Sequence, residues 1–287
     1  MNAPVCLLDV QNTLGEGPLW VASTQQLYWF DIKQARVLSF RPGSGETRDW
    51  VLPMRASAAA PRRDGRLLLS TELGLARFDP VSGEIHLDEP VDLGPGFRSN
   101  DGKIDGRGRF WWTSMDDDGG RRPGAIWRRD ADGVSRRMIE GVSIANTVSC
   151  SPDGRTLYWA DSGRQTLYAQ ALTGDGLGER RIFADLTGES GTPDGSAVDA
   201  EGCLWNCQWG AWRIVRYRPD GTVDRIVELP VEQPTSCAFG GANLTTLYIT
   251  SAREGLDEAA LSGQPLAGGL FALETDVPGL ALPLLPD

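Results

Sequence analysis

A short pattern recurs six times along the 287-residue chain: an apolar stretch, a turn rich in Asp and Gly, then a Leu or Phe followed by further apolar residues. Ser151-Pro152-Asp153-Gly154-Arg155-Thr156-Leu157-Tyr158-Trp159 is the fullest copy. Asp105-Gly106-Arg107-Gly108-Arg109-Phe110-Trp111, Asp199-Ala200-Glu201-Gly202-Cys203-Leu204-Trp205 and Arg63-Asp64-Gly65-Arg66-Leu67-Leu68 repeat it. Looser copies end in Leu27-Tyr28-Trp29 and Leu247-Tyr248. The anchor residues Leu27, Leu67, Phe110, Leu157, Leu204 and Leu247 are 40, 43, 47, 47 and 43 residues apart, the repeat length of a four-stranded propeller blade. A second, edge-like strand follows each anchor strand, as in Arg36-Val37-Leu38-Ser39-Phe40 and Arg213-Ile214-Val215-Arg216-Tyr217. The expectation is an all-β, six-bladed β-propeller spanning residues 1–287 as a single domain. The stretch Val5-Cys6-Leu7-Leu8-Asp9-Val10 precedes the first full unit and is expected to close the ring beside Gly269-Leu270-Phe271-Ala272-Leu273. A β-sandwich or a parallel β-helix is the alternative, but β-helix coils are shorter than these units.

Charge narrows the partners. Lys and Arg number 28 against 39 Asp and Glu, a formal net charge of −11. Such a chain is a poor ligand for nucleic acid or an anionic membrane and points to a small molecule, a metal ion or another protein. Met1 to Val10 lacks the basic and apolar regions of a secretory signal, and no stretch approaches a membrane span. Five cysteines form no dense framework, which fits free thiols in a reducing cytoplasm, in a monomer or weak homo-oligomer.

The repeat register exposes candidate site residues. Counting back 10 or 11 residues from each anchor gives Glu16, Ser57, Asn100, Asn146, Asp194 and Ser236. In a propeller the innermost strands line the central channel, so these positions are expected to converge on the axis. Four of the six carry carboxylate or amide oxygens, and Glu16 has no turn role within Leu14-Gly15-Glu16-Gly17-Pro18. Carboxylates gathered without a cation repel each other, and a divalent cation resolves that. Such donors suit Ca²⁺, Mg²⁺ or Mn²⁺, with Zn²⁺ and Fe²⁺ also compatible. Other catalytic plans fare poorly. The only histidine, His86, falls in an outer strand, and neither a Gly-x-Ser-x-Gly elbow nor a His-Glu-x-x-His motif is present. Cys203 and Cys207, four apart, share one strand face and read as packing residues. Trp205, Trp209 and Trp212 read as blade packing rather than a sugar platform.

Leu14-Gly15-Glu16-Gly17-Pro18-Leu19-Trp20, Arg98-Ser99-Asn100-Asp101-Gly102-Lys103, Pro193-Asp194-Gly195 and Ser236-Cys237-Ala238-Phe239-Gly240-Gly241 resemble the senescence marker protein-30/gluconolactonase family. The tail Thr250 to Leu256, followed by Pro265 to Gly269, fits as well. The likeness covers almost the whole chain and is strongest to bacterial sugar-acid lactonases of the xylonolactonase and gluconolactonase type. It implies a six-bladed propeller with one divalent metal held by Glu16, Asn146 and Asp194. It implies substrate contacts at Arg98 and Asn100, with a further acidic contact near Asp118 in the run Asp116-Asp117-Asp118. Ser99 stands where relatives often carry a larger residue, which implies a differently shaped sugar pocket.

The expected activity is metal-dependent hydrolysis of an aldonolactone such as xylono-, arabinono-, galactono- or gluconolactone to the aldonic acid. Asp194 is the expected general base, with Glu16 as the other candidate. A propeller esterase acting on non-sugar esters and a non-enzymatic calcium-binding propeller are the competing classes. The polar set Arg98, Asn100 and Asp116 to Asp118 favours a hydroxylated substrate over the former, and the axial carboxylates argue against a bare scaffold.

Overall fold

The computed structural model describes residues 3–174 and 176–286; positions 1, 2, 175 and 287 of the expected span lie outside the described residues. The described strands form six four-stranded antiparallel sheets. Five are built from consecutive strands, and they are numbered here as blades 1 to 5 in chain order. Their innermost strands are Gly15–Val21, Ala56–Pro61, Phe97–Ile104, Ala145–Cys150 and Thr192–Val198. Blade 6 starts from Pro234–Gly240 and takes its outermost strand from Val5–Leu8, which pairs with Leu270–Glu274 through Val5 opposite Ala272 and Cys6 opposite Phe271. The ring is closed by the segment that the repeat left over.

The anchors of the repeat explain why the blades form. All six begin or nearly begin a blade's second strand, and each is at most 2% exposed. The Asp of the repeat turn earns its place locally. Asp64, Asp105, Asp153 and Asp199 each accept the backbone N–H two residues on, which holds the tight turn that a following glycine completes. Asp105 and Asp199 also accept from the indole Nε1 six residues later, Trp111 and Trp205, locking those rings in the blade interior. The strands following the anchors are not edges, as expected, but third strands. Each is covered by a fourth, such as Glu46–Val51 in blade 1 and Val223–Glu228 in blade 5. These outer strands are polar and exposed, so the hydrophobic pattern that marks the inner three fades in them. His86 lies in one, Ile85–Pro90, as expected.

At the end where the inner strands finish, the C-terminal segment crosses the ring from Pro278, bonded to Ala200, to Leu285, bonded to Pro61 and Arg63. It lies over a cavity of about 330 Å³ lined by Lys103, Cys150, Phe239 and Leu282. The opposite mouth carries the polar residues described below.

Blades 1 and 2 meet most tightly at Gly17, whose φ is +56° and whose hypothetical Cβ would lie 2.0 Å from the carbonyl oxygen of Ser57. Gly17→Ala combines a left-handed backbone with a steric overlap and is expected to cost about 3–5 kcal/mol. Gly43→Ala, in open space, is expected to stay within about 0.5 kcal/mol of wild type. Equal melting temperatures for the two variants would contradict the tight inter-blade approach.

Candidate metal and substrate site

Each inner strand breaks register near its start, and the breaks aim the candidate residues. In blade 1 Glu16 pairs with Phe30 and Leu19 with Tyr28, leaving Gly17 and Pro18 unpaired. In blade 4 Asn146 pairs with Ala160 and Ser149 with Tyr158, leaving Thr147 and Val148. Blades 3 and 5 leave Asn100-Asp101 and Asp194-Gly195. The count from the anchors therefore lands on two positions, not one. Glu16 and Asn146 are the last paired residues before the break, whereas Asn100 and Asp194 are the first residues inside it. Bulges bend a strand and turn a side chain off the pleat, so both positions face the channel from alternate blades.

Blades 1 and 4 share a second device. Gly17 and Thr147, which follow the donors, both adopt left-handed backbone, at φ +56° and +65°. That conformation is costly for β-branched Thr147. Its hydroxyl holds it there by donating to the Asp194 carbonyl, while Asn206 Nδ2 donates to the same hydroxyl. Asp31 and Asp161 act alike at the heads of these strands: Asp31 accepts from the N–H groups of Thr13 and Leu14, Asp161 from those of Ser143 and Ile144.

Glu16, Arg98, Asn100, Asp101, Asn146 and Asp194 are all buried. A chain of hydrogen bonds crosses three blades. Arg98 Nη1 donates to Asn100 Oδ1 at 2.7 Å, Asn100 Nδ2 to Asn146 Oδ1 at 2.8 Å, and Asn146 Nδ2 to Ser162 Oγ at 2.9 Å. Ser162 Oγ in turn donates to the Pro193 carbonyl, beside Asp194. Ser162 spends its proton on that carbonyl, which obliges it to accept from Asn146 and fixes which end of the amide faces Asn100. Asn146 Oδ1 keeps a second lone pair for another partner.

The carboxylates are not at ease. Burial first, then repulsion from Asp101, pushes Glu16 up to about 8, with partial relief from the Gly17 N–H, Arg98 and Lys103. Burial, then Glu16 and Asp101, pushes Asp194 well above the usual range. Burial also raises Asp101, whose Oδ2 has no hydrogen-bond partner. The ammonium nearest to them is Lys103, which donates to the carbonyls of Cys237 at 3.0 Å and Pro18 at 3.4 Å. Lys103 and Arg98, the latter shared with Asp117, match the three carboxylates only in part. One divalent cation balances that deficit, and carboxylate plus amide oxygens are the donors such an ion takes. Among the described residues no three His, Cys, Asp or Glu side chains meet at ligating distance. Glu16, Asn146 and Asp194, the expected ligands, lie on the inner strands of blades 1, 4 and 5 and are all buried.

The substrate-side expectations divide. Arg98 is in place, but its acidic partner is Asp117, not Asp118. Asp117 accepts from Arg98 Nε at 2.6 Å, Arg55 at 2.7 Å and Lys33 at 2.9 Å. Burial would raise the Asp117 carboxyl, but these three donors hold it well below the usual carboxylate range. Asp118 points to solvent and pairs with Arg121, and Asp116 pairs with Arg122. The hydroxyls of Ser57 and Ser99 bond each other at 2.8 Å between blades 2 and 3, so Ser99 fills an inter-blade gap rather than shaping the channel wall. Ser236 occupies the second unpaired position of its break, out of step with the other five. Trp205 is buried in its blade, Trp209 is half-buried and Trp212 is 40% exposed. Asp101, Lys103, Asp117 and Ser162 went unrecognised from the sequence. The repeated endings Leu27-Tyr28-Trp29-Phe30-Asp31 and Leu157-Tyr158-Trp159-Ala160-Asp161 were a visible sign that blades 1 and 4 are built alike.

A closed six-bladed propeller with an oxygen-lined, electron-rich channel mouth defines the class, and comparison with known proteins supplies the family. Residues 14–253 match the SMP-30/Gluconolactonase/LRE-like region, and the chain belongs to that family. L-arabinolactonase of Azospirillum brasilense is 39% identical, over 96% of this chain and 93% of the relative. The 6-deoxy-6-sulfogluconolactonase of Pseudomonas putida is 35% identical over 97% of each. The crystal structure of regucalcin, a calcium-binding protein of Agrobacterium tumefaciens, superposes with a TM-score of 0.93 at 34% identity, covering 98% of this chain and 96% of the other. The two enzymes named are lactonases, which are carboxylic ester hydrolases. No described helix is long and apolar enough to cross a membrane.

Two outcomes test the site's construction. Thr147→Val keeps the shape but removes the hydroxyl that holds the left-handed residue to the Asp194 carbonyl, which keeps its bond from Asn206 Nδ2 at 2.9 Å, and is expected to lower stability by about 1 kcal/mol. Asp117→Asn is expected to cost about 1–2 kcal/mol near neutral pH, given that the side chain is about a quarter exposed. Because the folded Asp117 titrates below its ordinary 3.8, its contribution is complete above that value and disappears as pH falls beneath it. The melting-temperature gap between wild type and Asp117→Asn should therefore narrow on acidification. A gap that widens would contradict the ion-pair assignment.

Proposed function

We propose that the protein hydrolyses a sugar-acid lactone to the aldonic acid, using one divalent cation in the channel. The single observation behind this is the burial of Glu16, Asp101 and Asp194, only partly matched by Lys103 and Arg98, in the same channel as the Asn146 amide oxygen. Glu16, Asn146 and Asp194 would hold the ion. Once bound, it would polarise the ester carbonyl and acidify a water.

The chain's own groups do the rest. A lactone is an internal ester, and its opening needs a base for the attacking water and donors for the developing oxyanion. Asp194 takes the proton from the attacking water, with Glu16 the other carboxylate able to do so. Arg98 donates to sugar oxygens, Asn100, whose amide hydrogens go to Asn146 Oδ1 and the Ala145 carbonyl, accepts a sugar hydroxyl on its Oδ1, and Asp117, kept ionised by three cations, accepts from sugar hydroxyls. Asp117 thus takes the role that the sequence suggested for Asp118. The rigid Arg98–Asn100–Asn146–Ser162 chain means substrate contact and ion contact share one framework, so orientation of the ring and of the donors is set together. The lactonase relatives support the reaction class, and the calcium-binding relative supports an oxygen-ligated cation.

The deciding experiment strips divalent ions with a chelator, adds Ca²⁺, Mg²⁺, Mn²⁺, Zn²⁺ or Fe²⁺ back singly, and follows proton release from a panel of aldonolactones. Activity is expected to vanish on stripping and to return with at least one ion. Asp194→Ala is expected to lose about 100-fold or more in kcat at saturating ion. Near-normal turnover by that variant, or full activity in the stripped protein, would overturn the assignment.

A further inference from the structure

The mouth of the channel carries a second, outer layer of charge. Lys33 of blade 1 reaches Asp117 of blade 3 at 2.9 Å and Glu254, after the second strand of blade 6, at 3.0 Å. Arg55 of blade 2 joins Glu72 at 2.8 Å and Asp117 at 2.7 Å, and Arg98 joins Asp117 at 2.6 Å. One connected network thus runs across the mouth from blade 6 to blade 3. It contains three cations, Lys33, Arg55 and Arg98, and three carboxylates, Glu72, Asp117 and Glu254. The neighbouring Asp116–Arg122 and Asp118–Arg121 pairs are matched one to one as well. Arg253 is committed to an exposed contact with Gln11 Oε1.

The network itself, balanced in this way, has no spare positive charge for an incoming anion; Arg253, held on the neutral Gln11 amide, lies outside it. A sulfonate, phosphate or carboxylate on the substrate would have to displace a protein carboxylate, or enter unpaired and lose its hydration without compensation. The overall charge of −11 adds long-range repulsion. An uncharged polyol lactone meets neither obstacle, because its hydroxyls only exchange hydrogen bonds with Arg98, Asn100 and Asp117. We propose that the channel selects lactones without a charged substituent and excludes sulfonated, phosphorylated or uronic ones, with the Lys33–Glu254 pair setting the limit. Glu254 is the most exposed member, its side chain 37% accessible against 6–25% for the others. It is therefore the carboxylate whose removal frees a cation at least structural cost. The inference deepens the lactonase reading and rests on it. It also separates the chain from its Pseudomonas putida relative, which is named for a sulfonated lactone.

The test compares D-gluconolactone with 6-phospho-D-gluconolactone on the ion-loaded protein, corrected for spontaneous opening. Wild type is expected to favour the uncharged lactone by roughly 100-fold or more in kcat/KM. That preference should shrink at about 0.5 M salt, where the Debye length is only a few ångströms. Glu254→Gln should raise the relative kcat/KM for the phosphorylated lactone about three- to fivefold through KM, and Lys33→Gln should lower it. Opposite shifts identify charge as the cause, since a general loosening of the mouth would move both variants the same way. Equal or better use of the phosphorylated lactone by wild type would overturn the inference while leaving the lactonase reading intact. Unchanged or parallel shifts in the two variants would overturn the assignment to Lys33 and Glu254. Failure to open either lactone, or any other aldonolactone, would remove the lactonase reading and the inference together.

Discussion

The arrangement that everything else serves is the crowding of like charge at the start of the inner strands. Glu16, Asp101 and Asp194 come from three different blades, are almost wholly shielded from water and raise one another's affinity for protons. An isolated fold would have every reason to avoid this, because buried ions are costly unless matched. Lys103 supplies part of the match from within the same strand as Asp101, its ammonium pinned by two carbonyls. The remainder is what a divalent ion provides. The propeller makes the crowding possible: its blades bring residues far apart in sequence to a common axis, and its outer strands supply the packing that withstands the repulsion.

The donors arrive by two routes. In blades 1 and 4 a left-handed residue follows the donor, and an aspartate at the end of the second strand clamps the strand's head. In blades 3 and 5 the donor itself sits inside the break in pairing. The first route serves blades 1 and 4, and the second serves blades 3 and 5 on either side of blade 4. Blade 2, whose inner strand is mostly alanine, contributes Ser57 only to an inter-blade hydrogen bond and sends Arg55 to the mouth instead. The proposed ion site and the proposed sugar contacts thus fall at different depths of one channel: carboxylates and amides below, the balanced ion network above.

The fold was readable because its causes repeat. Six Leu or Phe anchors at near-constant spacing, each fully buried, leave few architectures open, and the surplus N-terminal stretch found its place opposite Leu270–Glu274. The outer strands were harder, since their exposed polar residues carry no regular apolar signal. For the candidate site, the count from the anchors led to Glu16, Asn100, Asn146 and Asp194, buried residues at the register breaks, because their distance from an anchor is almost fixed. The residual error of one residue came from the register breaks, which change which residue faces inward without altering the spacing that reveals it. Asp117 was missed in favour of Asp118 because three consecutive aspartates offer no internal preference. Only the convergence of Lys33, Arg55 and Arg98 from other blades distinguishes them. Asp101 was passed over because adjacent strand residues ordinarily face opposite ways, and a bulge suspends that rule.

The shared construction of blade 6 has a consequence for biogenesis. Its outermost strand, Val5–Leu8, is made before blades 1 to 5, whereas its partner Leu270–Glu274 is made after them. Blades 1 to 5 each consist of consecutive strands and have what they need to form in order during synthesis, but the circle stays open until Leu270–Glu274 has been made. Val5–Leu8 must wait through the making of blades 1 to 5 with its backbone unpaired, a state in which a pairing-prone strand invites association with another nascent chain. At four residues, Val5–Leu8 is the shortest of the ring's strands, which keeps that interval of vulnerability small.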